Sequence, residues 1–268
     1  MEKLPLYDSA TVKVWSPAES TVQISTDRIK QAASSLHWHI TVDYLAGEAK
    51  YPIGWPRVGR ALPAGPLRDW SGWDYLHVWV YTATNRDNLP LIPAGLGLHT
   101  PDRTGAYQRT LSELKKDEWV EIRLPLTQIP RHHDVRHIQF HVAESNYRHG
   151  DRLDFYFSDL ALLRYAVPTL LEVAPESSVL FTDTARIPVR LHLAGVPSNS
   201  RADVICELRR GGQVVFLMPV SATRGVQQVV ITPKPQSLVA GDYEVHAHLA
   251  GQTQTTVARV RLVDSPWK

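Results

Sequence analysis

The sequence predicts an all-β protein built as two β-sandwiches in tandem, and three observations carry that expectation. Runs in which apolar and polar residues alternate recur along the 268 residues, bounded by Gly, Pro, Asn and Asp, as half-buried strands read. Apolar spacing near 3.6 is weak everywhere; "TLSELKKD" (110–117) is the best helical candidate and offers at most two turns. The texture also changes once. Seven of the eight tryptophans precede Tyr165, and a series of plain aliphatic strands follows it.

In chain order the first series comprises "LHWHITVDY" (36–44), "YLHVWVYT" (75–82), "GLGLHT" (95–100), "EWVEIRLPL" (118–126), "HIQFHVAES" (137–145) and "LDFYFSDLALLRY" (153–165). Pro168 in "AVPTLLEV" favours an extended joint, which puts the boundary between a domain of residues 1–166 and one of residues 167–268. The second series comprises "RIPVRLHLAG" (186–195), "ADVICELRRGGQVVFLMPV" (202–220), "VQQVVITP" (226–233), "GDYEVHAHLAG" (241–251) and "TTVARVRLVD" (255–264). The Gly-Gly pair in "RRGGQV" reads as a tight hairpin. About seven strands in about a hundred residues predict an immunoglobulin-like sandwich, with Tyr243 in "GDYEV" placed as a tyrosine corner.

The composition excludes several classes. With 43% hydrophobic and 21% charged residues the chain folds as a globular protein. A net charge of +2 with no long basic run gives no footprint for nucleic acid or an anionic membrane surface. The single cysteine, Cys206, rules out an intrachain disulfide framework. No run of about 18 apolar residues reads as a membrane helix. The opening "MEKLPLYDSATVKVW" lacks the apolar centre of a signal peptide. Two expectations remain: a cytoplasmic protein, or an extracellular one whose signal lies outside this piece. The close at "LVDSPWK", just after a strand-like run, fits truncation at a domain boundary.

The chemistry concentrates in "DWSGWDYLHVWVYT" (69–82), with five aromatic residues in fourteen. On its strand Leu76, Val78 and Val80 point one way, and His77, Trp79 and Tyr81 the other. Collecting the residues opposite the apolar set on the other strands adds His99, Glu121, Arg123, Gln139, His141 and Tyr156. A solvated face normally carries Lys, Glu, Thr and Ser. Flat rings mixed with paired donors and acceptors are instead what a pyranose needs, since its CH faces stack and its hydroxyls hydrogen-bond. Sequence alone leaves open whether these strands share one sheet. Loop candidates are Tyr51, Trp55 and Arg57 in "KYPIGWPRVGR", Asp102, Arg103 and Tyr107 in "HTPDRTGAYQR", and Glu144, Asn146 and Tyr147 in "AESNYRHGD". Trp38, Trp73 and Trp119 are expected in the core, with Trp70 and Trp73 plugging one end; Trp79 suits core and ligand equally.

His37 and His39 lie two apart on one strand face, as do His246 and His248, and "RHHDVRH" groups His132, His133, Asp134 and His137. Two imidazoles can begin a metal site, but the sequence identifies no third ligand, so a satisfied polar layer is the expectation for each pair. Glu121 and Glu144, on neighbouring candidate strands, are the carboxylates that could run glycoside hydrolysis, although Arg123 beside Glu121 reads more simply as an ion pair. A nucleophile elbow, a phosphate loop, a dinucleotide fingerprint and a Cys–His arrangement are all missing from the sequence.

The order "DWSGWDYLHVWVYT … GLGLHT … ELKKDEWVEIRLPLTQIP … VRHIQFHVAESNY … GDRLDFYFSDLALL" resembles the β-jelly-roll, galactose-binding-like domains that serve as carbohydrate-binding modules in glycoside hydrolases. Those domains carry an aromatic W-D-Y-L-x-F-W-V strand, a W-x-x-x-x-I-P-L strand and a closing F-Y-I-D-D-I-x-L strand. The resemblance spans roughly residues 10–165, and residues 168–268 are similar to the immunoglobulin-like or fibronectin-like spacers that follow such modules. It implies a non-catalytic region that binds polysaccharide or oligosaccharide beside a C-terminal catalytic domain. It also implies a structural calcium ion. Asp159 matches the second Asp of the closing strand while Ser158 replaces the first, and Asp27, Glu19 and Asp154 are candidate co-ligands. The alternatives are a structural protein-interaction module and a jelly-roll lyase or hydrolase.

Overall fold

The computed structural model describes residues 1–46, 54–101, 107–183, 186–234 and 238–266. They are almost entirely β, and the chain divides into two compact units, Glu2–Leu163 and Arg164–Lys268. The first unit carries β1 (Glu2–Pro5), β2 (Ser16–Ala18), β3 (Thr21–Ser25), β4 (Ser35–Thr41), β5 (Arg57–Ala61), β6 (Tyr75–Thr84), β7 (Gly95–His99), β8 (Tyr107–Thr110), β9 (Trp119–Pro125), β10 (His137–His141) and β11 (Arg152–Arg164). One sheet runs β3-β4-β11-β6-β9, with β1 on β11; the other runs β2-β5-β10-β7-β8.

Alternation decides what each strand buries. Leu36, Trp38 and Ile40 of β4, Leu76, Val78 and Val80 of β6, and Ile138 and Phe140 of β10 all point into the space between the sheets. Phe140 stacks on Phe157 of the opposite layer, with ring centroids 4.1 Å apart at 28°. The closing strand changes phase midway. Leu153, Phe155 and Phe157 face inward, then the register shifts between Ser158 and Ala161, and Leu160 and Leu162 take over. Asp159 enters the left-handed region (φ 60°) to make this bulge. The carbonyl of Leu160 accepts the N–H groups of Leu6 (2.9 Å) and Tyr7 (3.2 Å), which seats the N-terminal segment.

Trp38 and Trp70 are fully buried, and Trp73 packs against the core. Trp119 departs from expectation. It lies on the outside of its sheet, its ring 5.5 Å from that of Tyr81, because its register partner Tyr81 faces outward. Residues 111–118 form turns rather than a helix; Leu111 and Leu114 are buried there, and Lys116 bridges Thr82. Two apolar anchors three apart suit a turn as well as a helix, and eight residues are too few to stand as a helix without tertiary support.

The second unit carries β12 (Thr169–Pro175), β13 (Val179–Phe181), β14 (Ile187–Ala194), β15 (Ala202–Arg210), β16 (Gln213–Ala222), β17 (Gly225–Ile231), β18 (Gly241–Leu249) and β19 (Thr255–Val263). Its sheets run β12-β14-β17 and β13-β19-β18-β15-β16, around a core of Val189, Leu191, Val204, Leu208 and Val245. Gly211 and Gly212 take φ of 55° and 82° in the turn between β15 and β16, the pair of positive values that a two-residue hairpin of the primed type requires. The Tyr243 hydroxyl donates to the Val239 carbonyl at 2.9 Å, tying the turn before β18 to its own strand. Cys206 is buried, and burial pushes its thiol up to about 11, so it is an inert core residue.

Candidate functional site

The residues expected on one aromatic face are divided between the outer faces of two sheets. On the β3-β4-β11-β6-β9 sheet, the registers put Trp79 opposite Glu121, His77 opposite Arg123 and Tyr156 opposite Tyr81. This face is spoken for by the chain itself, because residues between β3 and β4 lie across it. Arg28 Nη1 donates to the Tyr81 hydroxyl at 2.8 Å, with its guanidinium 4.5 Å over the ring. The Trp79 indole donates to Gln31 Oε1 at 3.2 Å, and the ammonium of Lys30 lies 5.0 Å from its ring. His77 is 3% exposed and lies 3.2 Å from Glu121 Oε1, which also pairs with Arg123 at 3.1 Å. Tyr81 is 6% exposed. His77 and Tyr81 are therefore structural rather than ligand-facing, and Trp79 is half-covered.

Three further expectations are corrected by burial and register. Tyr107 stands opposite Leu98, on the inward side of β8, and packs on the core. Tyr147 is buried, with its hydroxyl donated to the Pro93 carbonyl at 2.7 Å; burial raises its pKa. Glu144 is buried and accepts the N–H groups of Gly54 (3.0 Å) and Asp43 (3.2 Å). Burial raises its carboxyl pKa, and the neighbouring Glu19 and Asp43 charges add to the shift. Glu121 lies on the outer side of β9, whereas Glu144 is buried in the 3-10 turn that follows β10 and is taken up by the Gly54 and Asp43 N–H groups, so the two are not presented as a hydrolytic carboxylate pair. Tyr51, Asp102 and Arg103 lie outside the described residues.

Of the calcium candidates, the Asp159 carboxylate pairs with the Lys3 ammonium and lies 3.6 Å from His77 Nδ1. Asp27 is exposed between β3 and β4.

Five of the candidates, Trp55, Arg57, His99, Gln139 and His141, do come together, on the exterior of the β2-β5-β10-β7-β8 sheet. Reading across register, one row is Ser16, Gly59, Gln139, Gly97 and Gln108; the next is Ala18, Arg57, His141, Gly95 and Thr110; a third holds Ala61, His137 and His99. Glycines and small residues strip this face of bulk, and imidazoles lie down into the space. A Cβ on Gly95 would fall 2.3 Å from His141 Nε2, and one on Gly59 would fall 2.5 Å from His137 Cε1. Gln139 stands between Gly59 and Gly97 with no side chain beside it in its row on those two strands.

Trp55 completes the face. It is 47% exposed, and its indole stacks on His141 with centroids 5.0 Å apart at 18°. Its backbone is held from below. Trp55 N–H donates to Glu19 Oε2 at 2.6 Å while Gly54 N–H donates to Glu144, and a Cβ on Gly54 would fall within 2.6 Å of both carboxylates. Glu19 and Glu144 thus position the indole instead of touching a ligand. Arg57 lies alongside, 3.9 Å from Glu19 Oε1.

Burial lowers the pKa of His137 and of His141, and the nearby His99 adds repulsion, so both rings are neutral near pH 7. Among the described residues, His99 Nε2 and His141 Nδ1 are buried nitrogens without a hydrogen-bond partner. The unfolded chain protonates these histidines near their ordinary 6.5, the folded one only at lower pH. Their contribution to stability is present above about pH 6.5 and is lost as the pH falls toward the depressed folded values. Urea midpoints for the first unit are expected to drop through that window, and His137→Gln with His141→Gln to flatten the drop. An unchanged slope in the double variant would contradict this origin.

The sequence carries a signal for this face that is not aromatic. In "GLGLHT" glycine occupies alternate positions of a strand, which bares one of its faces while the leucines fill the core.

No family model and no curated protein matches this chain. Among solved structures, the CBM22-1–CBM22-2 tandem domain of Xyn10C from Paenibacillus barcinonensis is similar at TM-score 0.35 and 8% identity, over 97% of this chain and 95% of that one. The glycoside hydrolase domain of Endo-D from Streptococcus pneumoniae R6 is similar at TM-score 0.33 and 8% identity, over 92% of this chain and 37% of that one. An arabinose-bound α-L-arabinofuranosidase, MgGH51, is similar at TM-score 0.34 and 16% identity, over 58% of this chain and 24% of that one. The chain thus spans well under half of the last two. At such distances these likenesses assign neither ligand nor activity.

Proposed function

We propose that the first unit is a non-catalytic glycan-binding module, and that the chain is an accessory region of a larger carbohydrate-active enzyme. The observation that supports this reading is the exterior of the β5-β10-β7 strands. There an exposed indole stacks on a neutral imidazole, above glycines, beside the Gln139 amide. A pyranose ring laid on Trp55 would meet its CH face on the ring system. Its hydroxyls would reach the Gln139 amide beside it. Neutral imidazoles favour a neutral glycan over an anionic one. Stacking contacts of this kind contribute about 1 kcal/mol each beyond burial, so a single site binds weakly. Tethering then raises the local concentration of substrate for a linked catalytic domain.

Affinity electrophoresis against neutral and uronic-acid polysaccharides tests this. Retardation on at least one neutral polysaccharide is expected, lost in Gln139→Ala and kept in Trp79→Ala. Retardation on none, or a loss that follows Trp79 instead of Gln139, would reject the assigned face.

A further inference from the structure

The pair His37 and His39 acquires in the structure the third ligand that the sequence did not identify. Asp154 of β11 stands directly opposite His39 of β4, and His37 is the next outward residue along the same strand. Asp154 Oδ1 lies 2.7 Å from His37 Nε2 and 2.8 Å from His39 Nδ1. One ligand atom from each of the three lies within 4.8 Å of the others. We propose that His37, His39 and Asp154 form a binding site for a divalent transition-metal ion, Zn²⁺ being the ion they suit, on the outer face of the β3-β4-β11-β6-β9 sheet.

Donor chemistry selects the ion. Two imidazole nitrogens and one carboxylate oxygen match zinc and its neighbours, whereas calcium and magnesium take oxygen ligands. A tetrahedral zinc site with bonds of about 2.0–2.1 Å sets its ligand atoms about 3.3 Å apart. The two contacts to Asp154 must therefore open by about half an ångström, which small side-chain rotations supply. All three residues sit on paired strands, so the backbone is fixed before an ion arrives.

The remaining nitrogens are already supported. Gln23 Nε2 lies 2.9 Å from His37 Nδ1, and Thr41 Oγ1 lies 3.3 Å from His39 Nε2. On metal binding, the nitrogen facing Asp154 in each ring gives up its proton or stays bare, and the far nitrogen carries the N–H. The Gln23 amide then turns to accept through its oxygen, and the Thr41 hydroxyl accepts from His39. Tyr156 stacks on His37 at 4.3 Å and 5°, which sets the plane of that ring. Side-chain exposure rises from 12% at His37 to 27% at Asp154 and 36% at His39, so the ion enters from solvent and its fourth position faces water or a donor on another molecule. This site shares no residue with the glycan face and stands or falls without it.

The test is titration of the full chain with Zn²⁺ against a chromophoric chelator, repeated with Co²⁺ to read the absorption of a four-coordinate centre. One ion per chain is expected, with affinity at least tenfold weaker in His39→Ala and in Asp154→Asn. Zn²⁺ is also expected to raise the melting temperature of the parent and not of these variants, while circular dichroism confirms that both fold. The double variant His99→Ala with His141→Ala is expected to bind as the parent does. Binding unchanged in His39→Ala and Asp154→Asn, binding that follows His99 and His141, or no binding below millimolar Zn²⁺ would each overturn the proposal and leave the triad a hydrogen-bonded pin between β4 and β11.

Discussion

Trp55→Ala is expected to weaken retention on the target glycan roughly thirtyfold while leaving the fold intact. Losing the stack and the burial of a half-exposed indole amounts to about 2 kcal/mol, and about 1.4 kcal/mol is a factor of ten in affinity. Just over half of the indole is buried and it stacks on His141, so removing it costs about 1–2 kcal/mol of stability, short of what a domain needs to stay folded. Binding and stability therefore separate, and isothermal titration or affinity electrophoresis beside a urea melt reads both. The backbone N–H that anchors this residue to Glu19 survives the substitution, so the turn keeps its place. A variant that binds as the parent does would remove Trp55 from the site.

Phe140→Ala has the opposite signature. The residue is fully buried on β10, stacked between layers on Phe157, so truncation leaves a cavity that neighbouring rings cannot fill. A loss of about 3–5 kcal/mol follows for such a change, out of a total of about 5–15 kcal/mol for a domain. Seven of the eight tryptophans precede Tyr165, so intrinsic fluorescence in urea reports the first unit. Its midpoint is expected to fall sharply, and binding to fail with it, because β10 also presents His137, Gln139 and His141 on its outer side. A shift below about 1 kcal/mol would mean that the two layers do not meet through this residue.

The strands themselves were legible because alternation is a local signal. The inward sets of β4, β6 and β10 are the ones their spelling predicts, whereas the bulge in "LDFYFSDLALL" emerges only from its pairing with β6. The hairpin at Gly211–Gly212 and the Tyr243 corner follow from residue chemistry alone in the same way. What alternation does not carry is the identity of the neighbour. His77-Trp79-Tyr81 and His99-Gln139-His141 look equivalent as outward residues, yet one group lies under the chain's own residues 28–31 and the other lies against glycines with the exposed Trp55 stacked on His141. Tyr107 and Glu144 turned inward for the same reason, since register with Leu98 and contact with Gly54 are set far away in sequence.

What this sequence determined by itself is an all-β chain, the inward and outward residues of its strands, and the supply of rings, amides and imidazoles on their outer sides. Only the tertiary structure decided which outward residues share a surface, which surface the chain covers, and that Asp154 stands beside His37 and His39. The physical reason is that a period of two records which side of a strand is apolar and nothing about its partner. Pairing is chosen by the packing of the whole core, and no single strand encodes it.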